Sequence, residues 1–194
     1  GVHLRLNTFN LDLRFRVPAS EKIELAYGAS AQLQTNQTLG EKYLLPDYTC
    51  IDGGIFVTAK WNLPASTIDA GIRLDQRSLT TNILESAGVD IFSELHKEFR
   101  AVTGSAGFTH SFSDAFTVKA NAGRGFRAPS VPELTANGVH EGTFRYEKGN
   151  PELHPERALE LDAGLMYDLD KISLATDLFA GLISDYIYYE QSAG

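Results

Sequence analysis

Between positions 140 and 154 the chain carries side chains that could hold a metal, among them His140, Glu141, Glu147 and His154. A neutral imidazole nitrogen ligates zinc or haem iron. A neighbouring carboxylate adds an oxygen donor or orients the ring. His140 is the leading candidate. Glu141 and His154 would join it in binding a substrate, and Glu147 would join it on a metal. The spacing from His140 to His154 fits no compact local metal motif, so such a site would need the fold, or residues from elsewhere, to complete it. His3, His96 and His110 show no partner pattern and read as ordinary surface or packing residues.

Other chemistries find less support. The single cysteine, Cys50, allows neither an internal disulfide nor a cysteine-rich metal site, and reads as a small strand residue. No G-x-S-x-G nucleophile elbow is present, so an enzyme is not expected. Gly123-Arg124-Gly125 is not a phosphate loop, because no helix is expected after it. A net charge of −8 with a pI of about 5.1 excludes the basic footprint of a general nucleic-acid binder.

The candidate residues sit in a segment from about 125 to 157, rich in Gly, Pro, Glu and His. Pro129 and Pro132 exclude continuous sheet there and fit a rigid loop base. Arg127 and Glu133 are expected to brace that loop. Whatever positions it must be sheet, because period-two alternation dominates the rest of the chain. Phe9, Leu11, Leu13, Phe15 and Val17 alternate with polar residues. So do Ile23 to Leu33, Ile51 to Trp61, Ile68 to Leu74, Phe116 to Ala122, Leu159 to Tyr167 and Ile172 to Leu182. A weaker run spans Phe99 to Phe112.

These runs predict an all-β fold, an antiparallel up-and-down meander of about eight long strands. Most reach about ten residues, where soluble strands average about five or six and a tilted membrane strand needs about nine to eleven. Mean hydropathy is −0.17 and no apolar run is long enough for a membrane helix, but a membrane barrel is apolar only at every second position. Connections alternate in length. Short links fall at 18–20, 62–65, 113–114 and 168–170, and long ones at about 35–49, 76–97 and 125–157. An outer-membrane barrel has this pattern, with tight periplasmic turns and long extracellular loops. Phe15, Trp61, Phe112, Phe116 and Tyr167 cluster at the short-turn ends, as an interfacial girdle would. A soluble β-sandwich binding domain, and a passive outer-membrane porin or adhesin barrel, remain the alternatives.

A family resemblance lies in the long loop. Gly125-Phe126-Arg127-Ala128-Pro129 is followed by Pro132-Glu133-Leu134, then Gly149-Asn150-Pro151-Glu152-Leu153 and Pro155-Glu156-Arg157. This combination, over about residues 120 to 190, resembles the barrel of TonB-dependent outer-membrane receptors. Phe126, Arg127, Ala128, Pro129, Asn150 and Pro151 are its structural motif residues. Ala70-Gly71-Ile72-Arg73-Leu74-Asp75 is similar to a further strand of the same barrels. The stretch from Asn137 to Thr143, with a histidine between the two motif elements, looks like haem receptors, although the haem pattern usually has Asn where this chain has Glu152; Gly138 to Asn150 and Asp185 to Glu190 are similar to zinc-uptake receptors.

The resemblance implies a barrel of about 22 strands closed by a plug, with residues 1–194 as part of its wall. It implies energy-coupled uptake of a metal ion or metal chelate such as zinc, haem or an iron-siderophore, with zinc or haem as cargo rather than a bound cofactor. It also implies a TonB-type energy-coupling complex acting through the plug, an outer-membrane lipid environment in a Gram-negative bacterium, and an extracellular histidine, here His140, that captures substrate. No export signal precedes the opening strand, and both ends read as cut points within a longer protein. An incomplete barrel has open edges and is not expected to form the native barrel alone.

Overall fold

A chain whose side chains alternate in character over ten or more residues can satisfy two different surroundings only as a strand, with one face for each. The computed structural model, which describes residues 3–40, 43–86, 89–140 and 145–191, has eight such strands in one antiparallel sheet. They are β1 (Leu4–Pro18), β2 (Ile23–Thr38), β3 (Tyr48–Asn62), β4 (Ser66–Thr81), β7 (Leu95–Ser113), β8 (Phe116–Arg127), β11 (Glu156–Leu169) and β12 (Ile172–Ser184). Each pairs with its neighbour in that order, so the meander is up-and-down throughout.

The register aligns the apolar positions of every strand. One row runs Leu13, Ala29, Ile55, Leu74, Val102, and another runs Ala122, Leu161, Ala180. Odd positions of 23–33 and even positions of 172–182 therefore share one face, while Glu24, Lys119 and Asp177 lie on the other. Among the described residues nothing covers the apolar face: Leu13, Ile55, Leu74, Val102 and Leu161 are all exposed. From Ile51 to Trp61 there are ten steps of about 3.3 Å, which at a tilt of roughly 40° make a band about 25 Å tall, the height of a bilayer's apolar interior in outer-membrane barrels. A large uncovered apolar face of this kind marks a surface that meets another protein or a membrane.

The opposite face is polar and self-paired. Arg77 makes a two-pronged pair with Asp52 at 2.6 and 2.9 Å, and Arg73 reaches Asp75 at 2.7 Å and Ser30 at 2.5 Å. Asn121 donates to Asp162 at 2.8 Å. Arg14, Gly28, Phe56 and Arg73 occupy one register row. Gly28 leaves room for the Phe56 ring, which lies between the two guanidinium groups at 5.9 and 6.0 Å. A side chain at position 28 would meet that ring at 2.8 Å.

All four short links lie at one end, with the aromatic girdle. Phe15 stacks on Tyr27 at 5.5 Å, Phe112 on Phe116 at 5.5 Å, and Phe116 meets Tyr167 edge-on at 6.3 Å. The long connections lie at the other end and are shorter than alternation suggests. β2 runs on to Thr38 and β3 begins at Tyr48; β4 runs to Thr81 and β7 begins at Leu95. Beyond the apolar band the inner face is covered by the folded connections, with Asn36 buried at 2% and donating to the Pro46 carbonyl, and the outward face turns polar, so the strand continues while its alternation fades, as at Thr35, Asn36 and Gln37. In β1 the phase reverses there: Leu4 and Leu6 pair with Thr38 and Asn36 on the inner face.

Candidate functional site: the long-loop end

The long connections are themselves folded, which the alternation did not foretell. The connection after β4 holds a small ladder of β5 (Leu84–Ser86) and β6 (Val89–Phe92). The one after β8 holds a short helix α1 (Val131–Thr135) and a hairpin of β9 (Asn137–His140) and β10 (Arg145–Lys148). A helix thus does follow Gly123-Arg124-Gly125, but those three residues lie within β8. The helix starts where Ser130 precedes Pro132 and Glu133, a legible start signal. The Glu133 carboxylate accepts the Ser130 N–H at 2.7 Å.

These segments fold inward onto the sheet. Tyr48, Cys50, Leu79 and Phe99, at the long-loop end of the inner face, form a buried apolar cluster with Ala128, Val131 and Leu134. Phe126 and Leu153 pack against it. Pro129 is fully buried. Cys50 is thus a packing residue.

Arg127 fastens the segment. Its Nε and Nη2 donate to Glu156 at 2.7 and 2.8 Å, and its Nη1 donates to Glu133 at 2.8 and 3.1 Å. Glu156, buried at 9% exposure, also accepts the Ile187 N–H at 2.7 Å. The Arg127 guanidinium and that N–H hold the Glu156 carboxyl down at about 2. Burial alone would raise Glu133, but its bonds to Arg127 and Ser130 outweigh this and keep it below the usual range. A lowered carboxyl stabilises the fold above its ordinary pKa of about 4.5 and loses that contribution as pH falls through about 2. Limited proteolysis of residues 128–155 should therefore stay slow from pH 7 to 4 and accelerate between pH 4 and 2. Equal cleavage at pH 7 and pH 2 would refute the brace.

Asn137 joins the three long connections. Its N–H donates to the Leu44 carbonyl at 3.4 Å, and its Nδ2 donates to the Ile91 carbonyl at 2.8 Å. Its Oδ1 accepts the Tyr146 hydroxyl at 2.6 Å. Gly138 lies so close to the Tyr43 carbonyl that a Cβ would stand 2.7 Å from it. The hairpin is tied to α1 by Gly149 N–H to the Ala136 carbonyl at 2.7 Å and by Asn150 N–H to the Glu133 carbonyl at 2.8 Å. Asn150 also caps the following turn, accepting the Glu152 N–H at 2.9 Å, next to exposed Pro151.

His140 ends β9, paired with Arg145. Glu141 lies outside the described residues. Glu147 is half-buried in β10 opposite Gly138, and His154 is exposed just before β11. Among the described residues no cluster of three metal-binding side chains forms. His110 accepts or donates a hydrogen bond with Ser66 at 2.7 Å and packs edge-on against Phe112 at 4.4 Å in the girdle. Asn137 opens a motif stretch of the sequence, but its joining role leaves no local pattern there, because it is made to the distant carbonyls of Leu44 and Ile91.

The family model of the TonB-dependent receptor-like β-barrel matches residues 4–194. The chain belongs to this family. Its sheet is similar to solved structures that include the copper transporter OprC, with a TM-score of 0.77 and 20% identity over 94% of this chain and 31% of that one. It is similar to the Serratia marcescens hemophore receptor HasR, solved with its hemophore and heme, with a TM-score of 0.79 and 13% identity over 95% of this chain and 34% of that one. A third is the FrpB iron transporter of Neisseria meningitidis, with a TM-score of 0.71 and 17% identity over 95% of this chain and 29% of that one. The chain thus spans about a third of the length of these receptors. At such identities the likeness is one of fold.

Proposed function

We propose that this chain is part of the wall of an outer-membrane receptor of a Gram-negative bacterium, one that takes up a metal ion or metal chelate by coupling to a TonB-type complex through a plug. In this reading His140 makes the first contact with the cargo from the extracellular side, supported by Glu141, Glu147 and His154. The observation that carries it is the joining of all three long connections at Asn137, the first residue of the strand that ends in His140. A restrained loop loses less entropy on binding, so a donor carried on it binds more tightly than one on a free loop. The neighbours named for copper, iron and haemophore transport support a metal-bearing cargo, and the family supports a transporter rather than an enzyme.

The test is His140→Ala in the receptor that carries this chain, with zinc, copper and haem titrated separately by calorimetry. Affinity for one of the three should fall by at least about 10-fold, since even outer-shell partners of metal ligands carry effects of that size. The ligand affected names the cargo. Unchanged affinity for all three would remove His140 from the site and leave the family assignment standing.

A further inference from the structure

The outward face carries a charge balance opposite to that of the whole chain. Its charged strand positions are Arg5, Glu98, Arg100, Arg124 and Arg157, four arginines against one glutamate in a chain of net charge −8. All stand at the long-loop border. Arg100 and Arg157 each lie one outward position beyond the last apolar one, after Val102 and Leu159 on β7 and β11, and Arg124 follows Ala122 on β8. From there to the short turns the outward face has no lysine, arginine, aspartate or glutamate. The short-turn border carries aromatics instead.

Below Arg100 the apolar wall is grooved. Gly53 faces outward, and a Cβ there would have nothing within 4 Å. Ile51, Ile55, Leu74 and Val102 flank the gap, and a groove of about 640 Å³ runs from it to Gln76 and Arg100. The groove is apolar in the band and cationic where the band ends. The Arg100 side chain is 73% exposed, and its Nη2 donates to Glu98 at 3.2 Å. An exposed pair of that kind holds weakly, and a phosphate offering a bidentate geometry competes with it.

We propose that this groove binds a membrane lipid with a phosphate-bearing headgroup: an acyl chain lies along Gly53 between Ile55 and Val102, and the phosphate meets Arg100. Arg124 extends the same cationic border to neighbouring headgroups; Arg157 beside it is paired with Asp185 at 2.6 Å. The site requires only that the outward face meet lipid and is independent of the cargo.

The experiment uses the receptor that carries this chain, purified in a non-ionic detergent and examined by native mass spectrometry. It is titrated with dipalmitoyl phosphatidic acid and, separately, with dipalmitoylglycerol, which lacks the phosphate. The receptor should bind phosphatidic acid roughly 10-fold more tightly than dipalmitoylglycerol, the effect of a charge-assisted hydrogen-bond pair. Arg100→Gln should abolish that preference, and Gly53→Leu, which the open space admits, should weaken both lipids. Millimolar inorganic phosphate should displace neither. Equal binding of the two lipids, an unchanged preference in Arg100→Gln, no effect of Gly53→Leu, displacement by free phosphate, or a second copy of the receptor in place of lipid would each overturn the proposal. Cargo affinity measured on the same variants should not change, so failure of the lipid site and failure of the uptake reading are separable.

Discussion

Replacing Ile55 by arginine should destabilise the barrel by about 2–4 kcal/mol, the cost of a cation at the middle of an outer-membrane barrel's lipid face. Ile55 lies within the apolar stretch from Ile51 to Trp61, and its cross-strand neighbours Ala29 and Leu74 offer no polar partner. A guanidinium there cannot easily reach either border, since the chain would have to extend past two or more residues in each direction. Gly123→Arg is the matched control. Gly123 faces inward, where a Cβ would have nothing within 4 Å, and the side chain could remain in a polar surrounding. Its cost should stay below about 1 kcal/mol. The measurement is urea unfolding of the receptor in phospholipid vesicles. If the two substitutions cost the same, the outward face is not the lipid face, and the band assigned from Ile51 to Trp61 is wrong.

The same two-faced environment explains what could be read from the sequence. Where one side of a strand meets lipid and the other a polar interior, every residue must obey the alternation, so Leu25 to Leu33 or Leu159 to Tyr167 reveal strand, face and phase together. Above the band the constraint lapses. Thr35, Asn36 and Gln37 continue β2 with no apolar phase to mark them, and Leu4 and Leu6 follow the opposite phase, so strand ends were not legible. Within the long connection, Pro129 and Pro132 correctly excluded sheet, but Pro132 followed by Glu133 also fits the first turn of a helix, and the Ser130–Glu133 pair was the sign of α1. Arg127, Glu133 and Glu156 were legible as motif residues. Their three-way joining was not, because a residue 29 positions away must be brought back by the return of β11 beside β8. His140 and His154 fall on different pieces of that connection, the end of β9 and the run into β11, which sequence spacing could not resolve.

Arg127→Ala should open the long-loop end without unfolding the sheet. Arg127 is the last residue of β8, Glu156 the first of β11, and Glu133 lies in α1, so one side chain holds the wall's edge and the inserted helix together. Removing it leaves two carboxylates near one another with no cation between them. The Glu156 side chain is only 11% exposed and cannot recover full hydration in place. Leaving a buried charged acceptor without its donor costs about 1–3 kcal/mol. The sheet's ladder is untouched, so that energy is released by local opening. Hydrogen exchange should therefore quicken about 10-fold or more at the amides of Ser130, Ile187 and Asn150, while amides in mid-β8 and mid-β11 keep their rates. Arg127→Lys should fall between the two, because an ammonium cannot present paired donors to both carboxylates at once. The hairpin of β9 and β10, which carries His140, hangs from α1 through the Gly149 and Asn150 bonds, so in the Arg127→Ala receptor cargo affinity should weaken along with the lost protection. Unchanged exchange at Ser130 and Ile187 would show that the apolar cluster around Leu79 and Leu134, not Arg127, holds the segment in place.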